Sequence, residues 1–378
     1  GAGWILELLP ANAADKLWNL YNIRPIDIWM MDGFSFLSIT YRPFYALSMI
    51  FLLMSVILFL KAAASGSRVL PFLLALSVLL LGFTHIYEIF TLIAVIMLYL
   101  LFRLYGRGMN SAFKGITAPV IAVLAAAIPP IIYHVILYRC DTVWTLFNEI
   151  KSDINPFSYA LGYGLFGLLA VYGSRKILNK HDDKKLFLFA WLCAVPLLLY
   201  FPVMFQRRMV LGYQFPVILL ASAGIFGLRF LGTARNHPVP GFFSSTRVKT
   251  ALLSAALLLS IPSYIYYFRF AYFDANREFF NYYLAEDDVK ALAWMDINLP
   301  ENSAILASYV VSSHVPSRTK CRVYAGHYAQ TINYAEKIMN IRRFYGTAGD
   351  YSVKVRFLAE NKIRYVYCGY FEKELGGQ

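Results

Sequence analysis

The stretch Leu81–Phe90, LGFTHIYEIF, lies inside a long apolar run and decides how the chain crosses a membrane. The run from 69 to 104 is longer than one membrane helix, which needs about 20 residues. Its centre carries His85, Tyr87 and Glu88. An ionisable side chain costs roughly 2.5–3.5 kcal/mol at the centre of a bilayer on insertion scales. We therefore predict that the run breaks at this stretch into two separate spans.

Composition extends this prediction to the whole chain. The 378 residues are 59% hydrophobic and only 15% charged, whereas soluble domains are about 25% charged. The sequence predicts a polytopic α-helical membrane protein with about eight transmembrane helices and a C-terminal soluble α/β domain. The predicted spans are 44–60, 69–84, 89–104, 117–138, 157–174, 186–204, 210–228 and 250–268.

Three regions follow from this pattern. Residues 1–41 contain no run long enough to span a membrane, and their Trp and Leu spacing predicts short helices in an outward-facing interfacial segment. Residues 42–268 form the transmembrane domain. In residues 269–378, strand-like and helix-like stretches alternate, which predicts a small, partly parallel extracytoplasmic α/β domain.

The basic residues set the orientation. Fourteen lysines and arginines, but only two acids, fall in segments 61–68, 103–116, 175–185 and 229–249. With eight spans these segments share one side, which the positive-inside rule makes cytoplasmic. We therefore predict a multi-pass protein of the plasma or inner membrane, with both ends of the chain on the extracytoplasmic side. The net charge of +13 then reflects topology, so we expect membrane lipids and no nucleic acid as partners.

The outward loops collect side chains suited to a lipid-linked phosphate donor. Arginine binds phosphate oxygens in a bidentate manner, and a carboxylate can take a proton from an acceptor hydroxyl. The candidate catalytic acids are Asp27, Asp32 and Glu88, the candidate cavity-lining residues are His85 and Tyr87, and the candidate donor-phosphate ligands are Arg207, Arg208 and Arg42.

Each candidate also has an ordinary structural interpretation. The His85–Glu88 stretch also fits a polar turn between two helices, although residues three apart share a helical face and can pair. Asp27 and Asp32 also fit a solvated loop or a helix cap. The two arginines also fit side chains that snorkel from the end of a span. Residues alone leave these alternatives open.

Several motifs resemble the GT-C superfamily of membrane glycosyltransferases, namely relatives of the dolichyl-phosphate-mannose protein mannosyltransferases. The similar stretches cover the chain from about Tyr41 to Gly369. They are YRPFYAL, the HIYE turn, NPFSYALGYGL from Asn155, FQRRMVLGYQFPVILLASAG from Phe205, DDVKALAWMDINLPENSAILAS, AGHYAQTINYAEK and FLAENKIRYVYCG.

The resemblance implies a polyprenyl-phosphate-sugar donor and transfer of the sugar at the outward face. It places Arg207 and Arg208 near the donor phosphate and His85 and Glu88 in the cavity wall. It also implies a catalytic acid in the first outward loop after a first span. Because the sequence starts at Gly1 without that span, the resemblance favours an acid upstream of it. The cofactor is unknown: no metal site is predicted, and a divalent cation stays an open alternative.

Two other functions fit the same sequence. A non-catalytic subunit would use the GT-C-like fold as a scaffold, with partner subunits in a larger membrane complex. A lipid or solute transporter would be expected to show inverted repeats or helices interrupted at mid-membrane depth, and the sequence shows neither clearly.

Overall fold

The computed structural model describes residues 1–107, 112–148, 154–175, 182–203, 205–226, 245–276, 283–346 and 351–376. The chain divides into two compact units. The helical unit consists of Gly1–Ile136 and Ile150–Arg269, and the C-terminal unit consists of Leu137–Glu149 and Phe270–Gln378. Residues 1–41 thus fold as part of the helical unit.

Helices dominate the first unit. They are α1 (Ala11–Tyr21), α2 (Ile26–Trp29), α3 (Ser35–Tyr41), α4 (Pro43–Ser65), α5 (Val69–Thr84), α6 (Tyr87–Arg107), α7 (Thr117–Cys140), α9 (Pro156–Arg175), α10 (Asp183–Leu199), α11 (Gln214–Phe226), α12 (Thr246–Leu258) and α13 (Ile261–Asn276), with 3-10 helices Gly3–Leu8, Met31–Gly33 and Gln206–Val210. The short helix α8 (Thr142–Asn148) belongs to the C-terminal unit.

A described helix lies at every predicted span, and α12 and α13 together occupy the last one. Within the described residues, five segments are long and apolar enough to cross a membrane: Pro43–Ser65, Tyr87–Gly106, Thr117–Cys140, Gln206–Ile225 and Thr246–Phe273. Val69–Thr84 is apolar but shorter. The protein is therefore a helical membrane protein, and the count of eight spans stays a prediction.

The predicted break near His85 is confirmed. Helix α5 ends at Thr84, and His85 has an extended backbone with φ −159° and ψ 102°. Helix α6 then begins at Tyr87. The polar residues of this stretch therefore lie at the joint between two helices and not within one continuous helix.

Small residues bring the helices of this unit close together. Ser55 of α4 and Ser77 of α5 share a hydrogen bond of 2.8 Å between their hydroxyl oxygens. Gly173 of α9 faces α11 so closely that a Cβ there would lie 2.1 Å from the Leu220 carbonyl oxygen. Such contacts are typical of membrane helices, because packing and interhelical hydrogen bonds hold them together where burial from water does not.

The C-terminal unit has the predicted α/β character. Its strands are β1 (Ala304–Leu306), β2 (Arg322–Val323) and β3 (Tyr365–Val366), and its further helices are α14 (Glu286–Asn298), α15 (Tyr309–Ser312), α16 (Val315–Arg318), α17 (Tyr334–Gly346), α18 (Tyr351–Glu360) and α19 (Tyr370–Leu375). The strands pair in parallel in the order β2-β1-β3. Successive residues of β1 point to opposite faces, so Ile305 and Leu306 are buried in separate apolar clusters.

Candidate active site

An acid and an arginine meet beside the 3-10 helix Gln206–Val210. Asp32 Oδ2 lies 3.6 Å from Arg207 Nε. Asp32 is only 4% exposed, and its Oδ1 accepts no hydrogen bond from a described residue. The solvated-loop alternative for Asp32 is therefore wrong. A buried carboxylate oxygen without a donor is costly. Asp27 Oδ1 and Glu88 Oε1 likewise accept no hydrogen bond from a described residue, so what distinguishes Asp32 among these buried acids is the arginine beside it.

The second arginine of the pair contacts the start of α6. Arg208 donates a hydrogen bond from a guanidinium nitrogen to the Tyr87 hydroxyl, and its guanidinium carbon lies 4.9 Å from the centroid of that ring. Nearby, the Thr91 hydroxyl donates to the Met209 carbonyl oxygen over 3.0 Å. These bonds fix the 3-10 helix Gln206–Val210 against α6. The two neighbouring arginines therefore have different partners: Arg208 binds Tyr87, and Arg207 pairs with Asp32.

Tyr45 connects the remaining candidates. This side chain of α4 is buried, and its hydroxyl interacts with Asp32, Arg42 and Arg208. Arg42 itself precedes α4 and is exposed, with its guanidinium carbon 5.8 Å from the centroid of the Phe44 ring. Tyr45 lies within the YRPFYAL motif but was not among the site residues predicted from the sequence.

His85 and Glu88 form the pair that their spacing allows. His85 Nδ1 lies 2.5 Å from Glu88 Oε2. Glu88 is fully buried, and its Oε1 has no described hydrogen-bond partner. The His85 ring packs edge-on against Tyr45, 5.2 Å between centroids, and against Tyr87, 4.9 Å. The pair therefore borders the same cluster, and Glu88 also interacts electrostatically with Asp32.

Asp27 has different partners. Its Oδ2 accepts hydrogen bonds from the backbone N–H of Gly3, 3.1 Å, and from the Ser263 hydroxyl of α13, 2.5 Å. It is 3% exposed, so the solvated-loop alternative is wrong here too. Burial raises the pKa of nearby Glu7, and the Asp27 charge raises it further. These contacts give Asp27 a structural role in joining the start of the chain to α13.

The structure therefore brings together Asp32, Glu88, His85, Tyr87 and the three candidate arginines, with Tyr45 between them, and gives Asp27 other contacts. The arrangement offers a buried carboxylate that can accept a proton and guanidinium groups that can hold an anion. The described residues contain no group of three or more His, Cys, Asp or Glu side chains that could hold a metal ion.

No known protein-family model matches the chain, and no curated protein is significantly similar to it.

Proposed function

We propose that the protein is a membrane glycosyltransferase that moves a sugar from a polyprenyl-phosphate-linked donor to an acceptor on the extracytoplasmic side. The observation that carries this proposal is the position of Asp32: a buried carboxylate with an unused oxygen, 3.6 Å from Arg207 and hydrogen-bonded to Tyr45, whose hydroxyl also interacts with the charges of Arg208 and Arg42. Sugar transfer from a phosphate needs a base for the acceptor and cations for the leaving group, and this cluster supplies both.

In the proposed reaction, Asp32 Oδ1 takes the proton of an acceptor hydroxyl. The acceptor oxygen forms a bond to the anomeric carbon as the bond from that carbon to the phosphate oxygen breaks. The polyprenyl phosphate leaves with the electron pair, and Arg207, Arg208 and Arg42 balance its added negative charge. Because the guanidinium groups are already in place, little reorganisation is needed as this charge develops.

The His85–Glu88 pair supports the same proposal in a positioning role. A carboxylate bonded to one ring nitrogen fixes the tautomer and the orientation of a histidine. With Nδ1 held by Glu88, the other nitrogen of His85 would orient a hydroxyl of the sugar or of the acceptor. The proposal further places the arginine cluster at the outward ends of eight spans, where the positive-inside rule disfavours arginines, and a bound donor phosphate would compensate their charge.

The test is a transfer assay on membranes that contain the full protein. The probe is a polyprenyl phosphate carrying a radiolabelled hexose, and the readout is label that leaves the lipid fraction for acceptor material. Arg207→Gln and Arg208→Gln are each expected to lower transfer by at least about tenfold, since a hydrogen bond to a charged group contributes about 1.5–3 kcal/mol. Arg68→Gln, an exposed arginine that follows α4, serves as the matched control.

Full transfer by both variants would remove the donor-site assignment. Absence of transfer in wild-type membranes, combined with purification of the protein in fixed stoichiometry with other subunits, would favour the scaffold function instead.

A further inference from the structure

A cluster that the sequence analysis did not select lies beside the Asp32 pair. Arg24 stands between α1 and α2, and its guanidinium carbon lies 4.8 Å from the ring centroid of Trp18 and 5.5 Å from that of Trp29. The guanidinium carbon of Arg207 lies 5.8 Å from the centroid of the same Trp29 ring. Two cations therefore share one indole ring.

The cluster presents hydrogen-bond donors that lack acceptors. Arg24 Nε, Trp29 Nε1 and Arg207 Nε are buried, and none of them donates to a described residue. The backbone N–H of Arg24 donates to the Ser158 hydroxyl over 2.9 Å, which fixes the start of this side chain against α9. Native structures rarely leave several buried donors unsatisfied in one place, so the cluster is suited to an acceptor supplied by a ligand.

The electrostatics point to an anion. Burial lowers the pKa of the Arg24 guanidinium, and the charge of Arg207 lowers it further. The two like charges beside one ring repel each other, and a negative group bound between them would offset that repulsion. Asp32 Oδ2 lies 3.6 Å from Arg207 Nε, whereas the Arg24 guanidinium lies against the two tryptophan rings.

The charge of the whole cluster indicates how many anionic groups it can hold. By formal charge, with His85 neutral, the four arginines and two acids of this region leave an excess of two positive charges: Arg24, Arg42, Arg207 and Arg208 against Asp32 and Glu88. A sugar linked to a lipid through one phosphate is a diester with a single negative charge. One such donor would leave one positive charge without a partner.

We propose that Arg24 and Trp29, with Arg207 shared between the two positions, form a second phosphate-binding position beside that of the donor phosphate. This inference rests on the proposed function, because it places the position next to the donor phosphate. The second phosphate is either the other half of a diphosphate-linked donor or a phosphate group on a separate acceptor. In either case the group that the Arg24 and Arg207 guanidinium groups would bind is a phosphate.

The experiment is isothermal titration calorimetry on the full protein in detergent. The probes are glucose joined to a short polyprenol through one phosphate, the same compound with a diphosphate, and inorganic phosphate added to protein saturated with the first probe. For a diphosphate donor, wild type is expected to bind the diphosphate probe about tenfold more tightly, and Arg24→Gln is expected to remove that preference. For a separate group, inorganic phosphate binds the saturated wild type but not saturated Arg24→Gln.

Equal affinity for the two lipid probes together with no binding of inorganic phosphate would overturn the proposal, as would an Arg24→Gln variant that behaves like wild type. If the monophosphate probe binds and only the second position is missing, the proposed function survives. If no lipid phosphate binds at all, both proposals fail together.

Two further variants separate binding from folding. Trp29→Phe keeps an aromatic ring and removes the Nε1–H donor, so it is expected to weaken binding of the second phosphate alone. Arg24→Lys keeps the charge without the planar fork and is expected to retain part of the affinity. Thermal melting midpoints close to that of wild type confirm that the variants are folded, and unchanged binding of the monophosphate probe confirms an intact first position.

Discussion

Among its described residues, the helical unit contains two arginine–aspartate pairs of equal length, one near each end of α6. Arg207 Nε lies 3.6 Å from Asp32 Oδ2 near Tyr87, and an Arg103 guanidinium nitrogen lies 3.6 Å from Asp183 Oδ1. Tyr87 and Arg103 are 16 residues apart, about 24 Å along a helix. The pairs are similar in chemistry but opposite in which partner is buried.

At the Arg103 end the cation is the buried partner, and although Arg103 Nε and Asp183 Oδ1 make no hydrogen bond to a described residue, the other guanidinium nitrogens of Arg103 do. The Arg103 side chain is 5% exposed, while that of Asp183 is 43% exposed. Arg103 also donates hydrogen bonds to the Tyr99 hydroxyl, 3.0 Å, and to the Lys114 carbonyl, 3.3 Å. This network joins α6 to the segment before α7 and to the start of α10. The Arg103 pair therefore has the structural role of holding these segments together.

At the Asp32 end the carboxylate is the buried partner. The Asp32 side chain is 5% exposed and that of Arg207 is 29% exposed. Asp32 Oδ1 and Arg207 Nε make no hydrogen bond to a described residue. The comparison teaches that pairing and an unbonded nitrogen or oxygen do not mark a site by themselves, because both pairs have them. The two ends differ in which partner is buried and in the two hydrogen bonds that tie Arg103 to Tyr99 and Lys114.

The largest expected difference between the ends is in transfer activity. Asp32→Asn removes the proposed base and is expected to lower sugar transfer by about 10²–10⁴-fold. Asp183→Asn is the matched control and is expected to leave the rate within about twofold, because the Arg103 pair does not touch the proposed reactants. Radiolabel transfer in membranes measures both. An active Asp32→Asn variant would contradict the assignment of the base.

Stability is expected to show the reverse order. Arg103→Met keeps most of the side-chain volume but leaves the Tyr99 hydroxyl and the Lys114 carbonyl without their donor. We expect it to lower the free energy of unfolding by about 1–3 kcal/mol. Asp32→Asn is expected to leave this quantity unchanged or to raise it, since it removes a buried charge that is poorly compensated. Thermal melting in detergent compares the two variants. A larger loss of stability in Asp32→Asn than in Arg103→Met would contradict the difference proposed between the two ends.

A smaller effect is expected from Asp182, which caps α10 at the Arg103 end. Burial raises the pKa of this carboxyl, but hydrogen bonds from Lys185 and Lys184 outweigh that effect and hold the pKa below its usual value. A lowered folded pKa gives stability that is present at neutral pH and is lost as the pH falls through that value. Because the side chain is 39% exposed, the contribution is that of an ordinary cap.

Asp182→Ala is therefore expected to cost about 0.5–1 kcal/mol at pH 7. The difference from wild type should disappear in acid, below the normal range of an aspartate. A difference that persists there would mean that the cap acts through the side-chain shape and not through its charge. Hydrogen exchange of the first turn of α10 provides the local measurement.

Much of the architecture follows from patterns that involve neighbouring residues only. The run from 69 to 104 had to break where His85 and Glu88 interrupt it, because each carries a polar group that hydrocarbon cannot solvate. The alternation of strands and helices after residue 269 also predicted the parallel sheet. The pairing of His85 with Glu88 needed only their spacing of three.

The sequence did not reveal that Asp27 and Asp32 are buried or which residues they contact. Asp27 and Asp32 are five residues apart and looked equivalent, yet one bonds to Ser263, 236 residues away, and the other pairs with Arg207. Arg24 and Tyr45 were not predicted as site residues. Their partners lie on other segments or come close only through the way the short helices fold, and neither can be seen in the sequence.

The sequence by itself determined that this is a helical membrane protein with a break at LGFTHIYEIF and an α/β unit near its end, because hydrophobic runs and their interruptions are local properties. The tertiary structure decided which acid lies against the arginines and which donors remain unsatisfied. Those are properties of contacts between distant segments, and hydrogen-bond satisfaction can be judged only when every neighbour of a buried atom is known.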